Sequence, residues 1–380
     1  MTYAPDADER WMREALDLAR TALYITAPNP RVACLIVRDE QLLASGVTQM
    51  AGGPHAEVMA LRQAAERGQD TAGATFYVTL EPCSHYGRTP PCVDALIAAR
   101  PARVVVAMQD PNPLVGGRGM AKLRGAGIAV SMAGSLDDAL ALNPGFVARM
   151  TRKTPWVWLK LAASLDGRTA LASGESQWIT GPAARADGHH WRARSCVVLT
   201  GLGTVKADDP QMNVRGVDTP RQPIKAIVDT RFEVNEHARI FDGTKTWLFT
   251  GGSDPAKAAR LAGKNVEVVR LPQDAQGLDM RALMLWLADN NINEVHVEAG
   301  SRLSGGLLQA ECVDELLTYL APVLLGEGLG MVRMQPLSGL SQAQRFEFID
   351  TVAMGADVRL RARHTERWRA LLKSVQPTAA

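Results

Sequence analysis

The chain has 380 residues, 46% of them apolar and 22% charged, with a formal net charge of +2; this is a globular composition long enough for two domains. The near-balance of charge argues against a dedicated nucleic-acid binder, and aromatics at 5% leave little for base-stacking platforms. Residues 1–20 mix acids and bases without the apolar block of a signal peptide, and no uncharged apolar run approaches the roughly 18 residues of a membrane helix, so a cytoplasmic protein is expected.

Residues 8–24 place Met12, Leu16, Ala19 and Leu23 at a helical period. A Pro-Asn-Pro turn in APNPRVACLIV (27–37) leads into a strand, with 42–47 as its hairpin partner. A loop at Gly52 and Gly53 precedes Pro54-His55-Ala56-Glu57 and a helix through Arg67. ATFYVTL (74–80) reads as a buried strand and Cys92 opens a helix over VDALIAA. RVVVAM (103–108) is a strand, and a helix near 119–126 precedes a strand at 127–130. The order β-β-α-β-α-β-α-β predicts a layered α/β domain over 1–150, ending in a helical segment at 136–150. Residues 151–155 read as a linker. A second α/β series follows over 151–364, with strands at 156–162, 196–200, 224–229, 246–250, 266–270, 293–298 and 314–321 and helices at 180–193, 279–290 and 304–312. The end of the chain, 365–380, is expected to be a poorly ordered tail.

Five cysteines without small-scaffold spacing are, in a reducing compartment, thiols or metal ligands. His55-Ala-Glu57 at a helix start, followed by Glu81-Pro82-Cys83 and then Cys92, is the strongest signal in the chain. One neutral imidazole and two thiolates suit a tetrahedral zinc whose fourth corner stays open to an acidified water. At helix N-termini the exposed N–H groups and the dipole favour thiolate at Cys92 and neutral imidazole at His55. Glu57, two residues from His55, sits near the metal without being a ligand and suits a proton shuttle between water, ring nitrogen and departing ammonia. This is the logic of nucleobase deaminases, except that eight residues, SHYGRTPP, separate the cysteines where the short pattern has two. The competing reading is a structural zinc closed by His85, which leaves Glu57 unexplained.

Nearby residues each carry two readings. Asn29, between two prolines, either bonds a ribose hydroxyl or serves its turn. Arg88 either clamps a phosphate or is a solvated loop charge. Asp110 and Asn112, in QDPNP after a strand, either meet a ligand or form an ordinary turn. Cys34, inside an apolar strand, reads as core.

PNPRVACLIV, PHAEVMAL, TLEPCSHYGRTPPCVDALI and MQDPNP together resemble the bifunctional riboflavin-biosynthesis deaminase/reductase family, whose motif has this eight-residue cysteine spacing. The resemblance implies a cytidine-deaminase-like α/β/α domain with His55, Cys83 and Cys92 on zinc and Glu57 as proton shuttle. LKLAASLDGRTA (159–170), SGESQWITG (173–181), LTGLGTVKADDPQMNVR (199–215) and VEAGSRLSGGLL (297–308) resemble the family's reductase part, an α/β fold like dihydrofolate reductase. This implies NADPH beside Ala162, Trp178, Thr204, Asp208, Thr230 and the loop of Gly300, Ser301, Arg302, Leu303, Ser304, Gly305 and Gly306. It implies a small phosphorylated pyrimidine beside Ser176, Arg192, Met212, Arg215 and Glu298, and a homodimer through the reductase half. The implied reactions are deamination of 2,5-diamino-6-(5-phosphoribosylamino)pyrimidin-4-one, then NADPH-dependent reduction of the ribosyl group to ribityl at C1′.

Read without the resemblance, the reductase residues stay open. The glycine loops at 201–203 and 300–306 either approach phosphates or are plain strand–helix turns. Arg192 and Arg215 either clamp one phosphate or are surface charge. Asp208 and Asp209 could instead cap a helix, and Trp178 either covers a nicotinamide or is core. The rival function is a nucleotide or transfer-RNA deaminase with a non-catalytic C-terminal binding domain. Its basic groove is missing apart from RARHTERWR (361–369), which reads as a solvated helical tail.

Overall fold

The computed structural model describes residues 5–376 apart from 87–89, 114 and 276. They fall into two compact units, one of residues 1–152 with 369–380 and one of residues 153–368. No helix among the described residues is long and apolar enough to cross a membrane.

The first unit opens with α1 (Pro5–Arg20), which buries Trp11, Met12, Ala15, Leu16 and Ala19 and starts on Asp6 and Asp8, charges that suit a helix N-terminus. There follow β1 (Ala33–Arg38), β2 (Gln41–Val47), α2 (Ala56–Glu66), β3 (Thr75–Val78), α3 (Cys92–Ala99), β4 (Arg103–Val106), α4 (Arg118–Gly125), β5 (Ala129–Met132), α5 (Leu136–Leu142) and α6 (Pro144–Arg152). The sheet order is β2-β1-β3-β4-β5; β1 is antiparallel to both neighbours, while β3, β4 and β5 run parallel. Strand β3 is buried along its whole length, as expected of a central strand covered on both faces. The helix expected over 136–150 is two helices. Pro144 offers no amide to continue the first, and Asn143 turns inward, where its side chain exchanges two hydrogen bonds with the Arg31 backbone at 2.7 and 2.9 Å.

The second unit contains β6 (Trp156–Ser164), β7 (Arg168–Leu171), α7 (Pro182–Arg194), β8 (Val197–Gly201), α8 (Leu202–Asp208), β9 (Ile224–Val228), β10 (Thr246–Thr250), α9 (Pro255–Ala262), β11 (Val266–Arg270), β12 (Gln273–Asp274), β13 (Gly277–Leu278), α10 (Met280–Asp289), β14 (Glu294–Glu298), α11 (Ser301–Gln309), β15 (Glu315–Ala321), β16 (Gly328–Gly330), β17 (Phe346–Met354) and β18 (Asp357–His364). Helix α12 (Thr365–Ser374) follows and runs past the boundary of the unit. Nine strands form one sheet in the order β11-β10-β9-β8-β14-β6-β15-β18-β17. It is parallel from β11 to β15, and β18 and β17 add an antiparallel hairpin at one edge. The connection leaving β8 runs towards β9 on one side and that leaving β14 runs past β6 to β15 on the other, so a crevice opens between β8 and β14.

Two regions depart from expectation. Residues 365–374 of the expected tail form α12, because Trp368 and Leu371 are buried and hold it. The arginines read as a solvated tail are paired: Arg361 and Arg363 bond Glu315, and Arg367 bonds Asp314 at 2.6 Å. Their carboxylate partners lie on or beside β15, far away in sequence, so no local pattern announces the pairing.

Candidate active sites

The N-terminal site rests on two helix starts and one loop. His55 is the N-cap of α2, and its ring makes no capping bond, which leaves it free to meet the sulfurs. Cys92 is the first residue of α3. Cys83 caps that same helix: its Sγ accepts the Cys92 backbone N–H at 3.3 Å and its carbonyl accepts that of Val93 at 3.2 Å. His55 Nδ1 thus lies 3.6 Å from Cys83 Sγ and 3.3 Å from Cys92 Sγ. The three ligand atoms fall within 4.8 Å of one another, the one such cluster among the described residues. Separations of this order match the edges of a tetrahedron with metal–ligand bonds of about 2.0–2.3 Å, and the donor set is one zinc favours. His85 is exposed and stands outside the cluster, so the reading of a site closed by a fourth protein ligand loses its ligand.

Glu57 sits in the first turn of α2 on the buried face with Ala56, Ala60 and Ala64, and is 3% exposed. Burial, reinforced by the charge of Cys83, pushes its carboxyl up to about 7. A group so poised accepts and returns a proton at comparable cost. The Cys83 thiol is held below its ordinary range by hydrogen bonding from Cys92 and His55, against its burial. The helix field expected to keep His55 neutral is opposed: its hydrogen bond to Cys83 raises the imidazole's pKa.

Asp110 is buried beyond β4, and burial pushes its carboxyl up to about 7, with Glu81 and Cys83 adding to the rise. Its Oδ1 accepts the Asn112 N–H at 2.8 Å, so it makes the turn and stands within electrostatic reach of the cluster. Asn112 and Asn29 are half-buried, and the Asn29 N–H donates to the Thr26 carbonyl at 2.8 Å as part of its turn. Arg88 lies outside the described residues. Cys34 is fully buried in β1.

The second unit holds a cavity of about 1940 Å³ at the C-terminal ends of its central strands. That exceeds the roughly 300–1,000 Å³ of a single-ligand pocket, leaving room for a dinucleotide and a second molecule. At the crevice Gly300 caps α11, and its N–H donates to Thr204 Oγ1 at 3.2 Å. The free amides of such a helix start suit a diphosphate. Ala162, Ser176, Trp178, Arg192, Thr204, Asp208, Met212, Arg215, Thr230, Glu298, Gly300, Ser301, Arg302, Leu303 and Gly306 line the cavity.

Ser304 and Gly305 do not line it. Helix α11 begins three residues earlier than expected, which turns both inward. Ser304 is buried and donates to the Ala299 carbonyl at 3.3 Å. A Cβ on Gly305 would lie 1.9 Å from the Arg333 carbonyl oxygen, so this glycine serves close packing. Trp178 is 70% exposed with the Arg185 guanidinium 4.5 Å from its ring centre, so it is not core. Asp208 ends α8 and Asp209 follows it, accepting the Arg239 N–H at 2.8 Å; neither caps a helix N-terminus.

Arg192 is not surface charge. It bonds both Glu298 oxygens, Nη2 to Oε2 at 2.9 Å, and donates from Nη1 to the Asn213 carbonyl at 2.8 Å. Burial works against the Glu298 charge, but Arg192 outweighs it and holds the carboxyl well below the usual range. Arg215 is exposed, bonds Asn213 Oδ1 at 2.5 Å and has no carboxylate partner among the described residues. The two arginines therefore differ: one charge is already met, the other is available.

Sequence reasoning missed Lys160, Tyr319 and His296. Lys160 pairs in register with Glu298, and its Nζ lies 5.9 Å from the Tyr319 ring centre in the cavity wall. Removal from water lowers its pKa, opposed by Glu298. Buried His296 brings Nε2 to 3.3 Å from Glu298 Oε1. The available signal was a cation inside WVWLKLAAS and an imidazole inside EVHVE, both on central strands.

Known proteins match both units. Residues 155–360 match the RibD C-terminal domain, and residues 5–108 the cytidine and deoxycytidylate deaminase zinc-binding region. The riboflavin biosynthesis protein RibD of Escherichia coli K12 is 46% identical over 92% of this chain and 98% of its own length. That of Haemophilus influenzae is 42% identical over 92% and 95%. The structure of Acinetobacter baumannii RibD superposes with a TM-score of 0.87 at 43% identity, covering 95% of this chain and 99% of that one. A diaminohydroxyphosphoribosylaminopyrimidine deaminase/5-amino-6-(5-phosphoribosylamino)uracil reductase from Thermotoga maritima gives 0.83 at 31% identity, covering 95% and 100%.

Proposed function

The chain belongs to the RibD family, whose deaminase and reductase activities serve riboflavin biosynthesis with zinc and NADPH, and we infer that His55, Cys83 and Cys92 hold its zinc while Glu57 moves the proton. The observation that carries this is the three-ligand cluster with the buried Glu57 carboxyl in the first turn of the helix that His55 caps. The deaminase unit takes 2,5-diamino-6-(5-phosphoribosylamino)pyrimidin-4-one, and the reductase unit takes the aminouracil that results. Bound zinc supplies an acidified water. Glu57 accepts a proton, delivers it to the pyrimidine ring and later protonates the departing amine. Asn29, Asp110 and Asn112 orient the ring and ribose, and Arg88 meets the phosphate.

The residues lining the large cavity would hold NADPH, which would supply the hydride for reduction of the ribosyl group at C1′. The α11 start would hold its diphosphate on the amides that follow Gly300, whose own N–H is spent on Thr204. Ala162, Asp208 and Thr230, in the cavity wall, would contact the cofactor, and the exposed Trp178 ring would cover its nicotinamide. Arg215, the arginine with charge to spare, takes the substrate phosphate. Lys160 and Glu298, opposite charges side by side on adjacent strands, orient the aminouracil.

The test supplies the diaminopyrimidine ribotide with NADPH and follows ammonia release and loss of the reduced-nicotinamide absorbance. Glu57→Gln keeps its zinc, loses ammonia release and still oxidises NADPH when given the aminouracil. A variant that deaminates at the normal rate overturns the assignment.

The chain forms a homodimer through the second unit. The support is β17, an edge strand with Phe348, Ile349 and Val352 exposed. Phe348→Lys with Val352→Lys turns the dimer into a monomer by light scattering. A cytoplasmic location accords with five free cysteines.

A further inference from the structure

Two loops of the first unit leave the sheet side by side, from the C-terminal ends of the parallel strands β3 and β4. One carries Cys83 and the other carries Asp110 and Asn112. Glu81 joins them. Its side chain is 2% exposed, yet it is not part of the metal cluster. Oε2 accepts the backbone N–H of Asp110 at 3.2 Å and of Gly117 at 2.9 Å, and Oε1 accepts that of Met120 at 3.1 Å. Its own N–H donates to the Met108 carbonyl at 2.9 Å. Gly117 is the N-cap of α4 and has no side chain to cap the helix, so Glu81 does from across the seam what a capping residue would do locally. The seam is closed from the other side as well: a Cβ on Gly119 would lie 2.1 Å from the Pro82 carbonyl oxygen and 3.1 Å from Glu81 Oε1.

We propose that Glu81 is a positioning residue of the deaminase, setting the distance between the Cys83 loop and the Asp110–Asn112 loop. The inference rests on the deaminase reading above and adds to it a residue that touches neither metal nor substrate. A carboxylate accepts through both oxygens, and here both are spent on backbone donors from 110–120. Glutamine would turn an N–H₂ toward one of those donors, leaving a buried amide unmet and pushing the loops apart. Aspartate keeps the charge but is one methylene too short to reach all three amides.

The experiment uses the full chain with Glu81→Gln and, separately, Gly119→Ala, which prises open the same seam without altering the carboxylate. Zinc content, both activities and backbone amide exchange are measured. Zinc stays at the wild-type level and NADPH oxidation with the aminouracil is unchanged. KM for the ribotide rises about 10- to 100-fold, more than kcat falls, as expected when substrate groups are displaced by about an ångström. Exchange at the Asp110, Gly117 and Met120 amides accelerates. A cap that merely stabilised the fold would lower the active fraction and leave KM where it was. Unchanged KM in both variants, or zinc lost in step with activity, overturns the proposal. Wild-type protein that released no ammonia would instead sink the deaminase reading itself.

Discussion

The metal cluster draws three side chains from two helix starts and one loop to within 4.8 Å of one another, whereas the cavity of the second unit is walled by residues scattered from Lys160 to Arg333. The first site works through the chemical identity of a few groups, each of which has one job. The second works through shape, backbone amides and charges shared among many residues. Damage should therefore be nearly all-or-none in the first and graded in the second, with each half serving as the control for the other.

A chelator strong enough to strip zinc gives the largest contrast: ammonia release is abolished while NADPH oxidation with the aminouracil continues. If both activities fell together, the two sites would not be chemically separate. Glu57→Gln sharpens the point, lowering deamination by about 10²–10⁴-fold, the usual range for a lost general acid–base group, with zinc retained. In the cavity, Arg192→Met strands the Glu298 carboxylate and destabilises the unit by about 3–5 kcal/mol in denaturant unfolding. A loss below about 1 kcal/mol would mean that the pair behaves like a solvated surface bridge. Trp178→Ala raises KM for NADPH by roughly 3- to 10-fold and leaves deamination alone, the scale of one ring stack.

Asp110→Asn is the effect most sensitive to pH. Burial pushes the folded carboxyl's pKa up to about 7 from its ordinary 3.8, so the folded state holds the proton more tightly than the unfolded chain. Ionising it removes stability progressively as pH rises from about 4 to about 7. The asparagine variant avoids that loss: it melts higher than wild type at pH 8, and the gain fades towards pH 4. A gain independent of pH would place its origin outside this carboxyl.

The same contrast governs how much could be read from sequence. His55, Cys83 and Cys92 announce themselves because zinc accepts few donor types and helix starts are marked locally, and the structure brings these three together beside Glu57. The cavity was legible only through resemblance over long stretches. Its residues have ordinary chemistry, and Gly305 looks like its neighbour Gly306 until helix α11 turns one to the core and the other to the cavity. Lys160 and His296 were hidden because periodicity assigns their strands without saying what their polar side chains meet. Arg361, Arg363 and Arg367 were misread for the complementary reason, since Glu315 and Asp314 are about fifty residues away. Long-range pairing has no local signature.

The path of the backbone has a consequence for anyone cutting the gene. The polypeptide enters the second unit at Lys153 and leaves it at Trp368, part-way along α12, and the residues beyond group with the first unit. Along the chain the second unit is bracketed by segments of the first. A fragment stopped at residue 152 discards Leu371 and Val375, both buried. Excising 153–368 in frame and splicing the ends through a bridge is the minimal design that keeps every segment the deaminase owns.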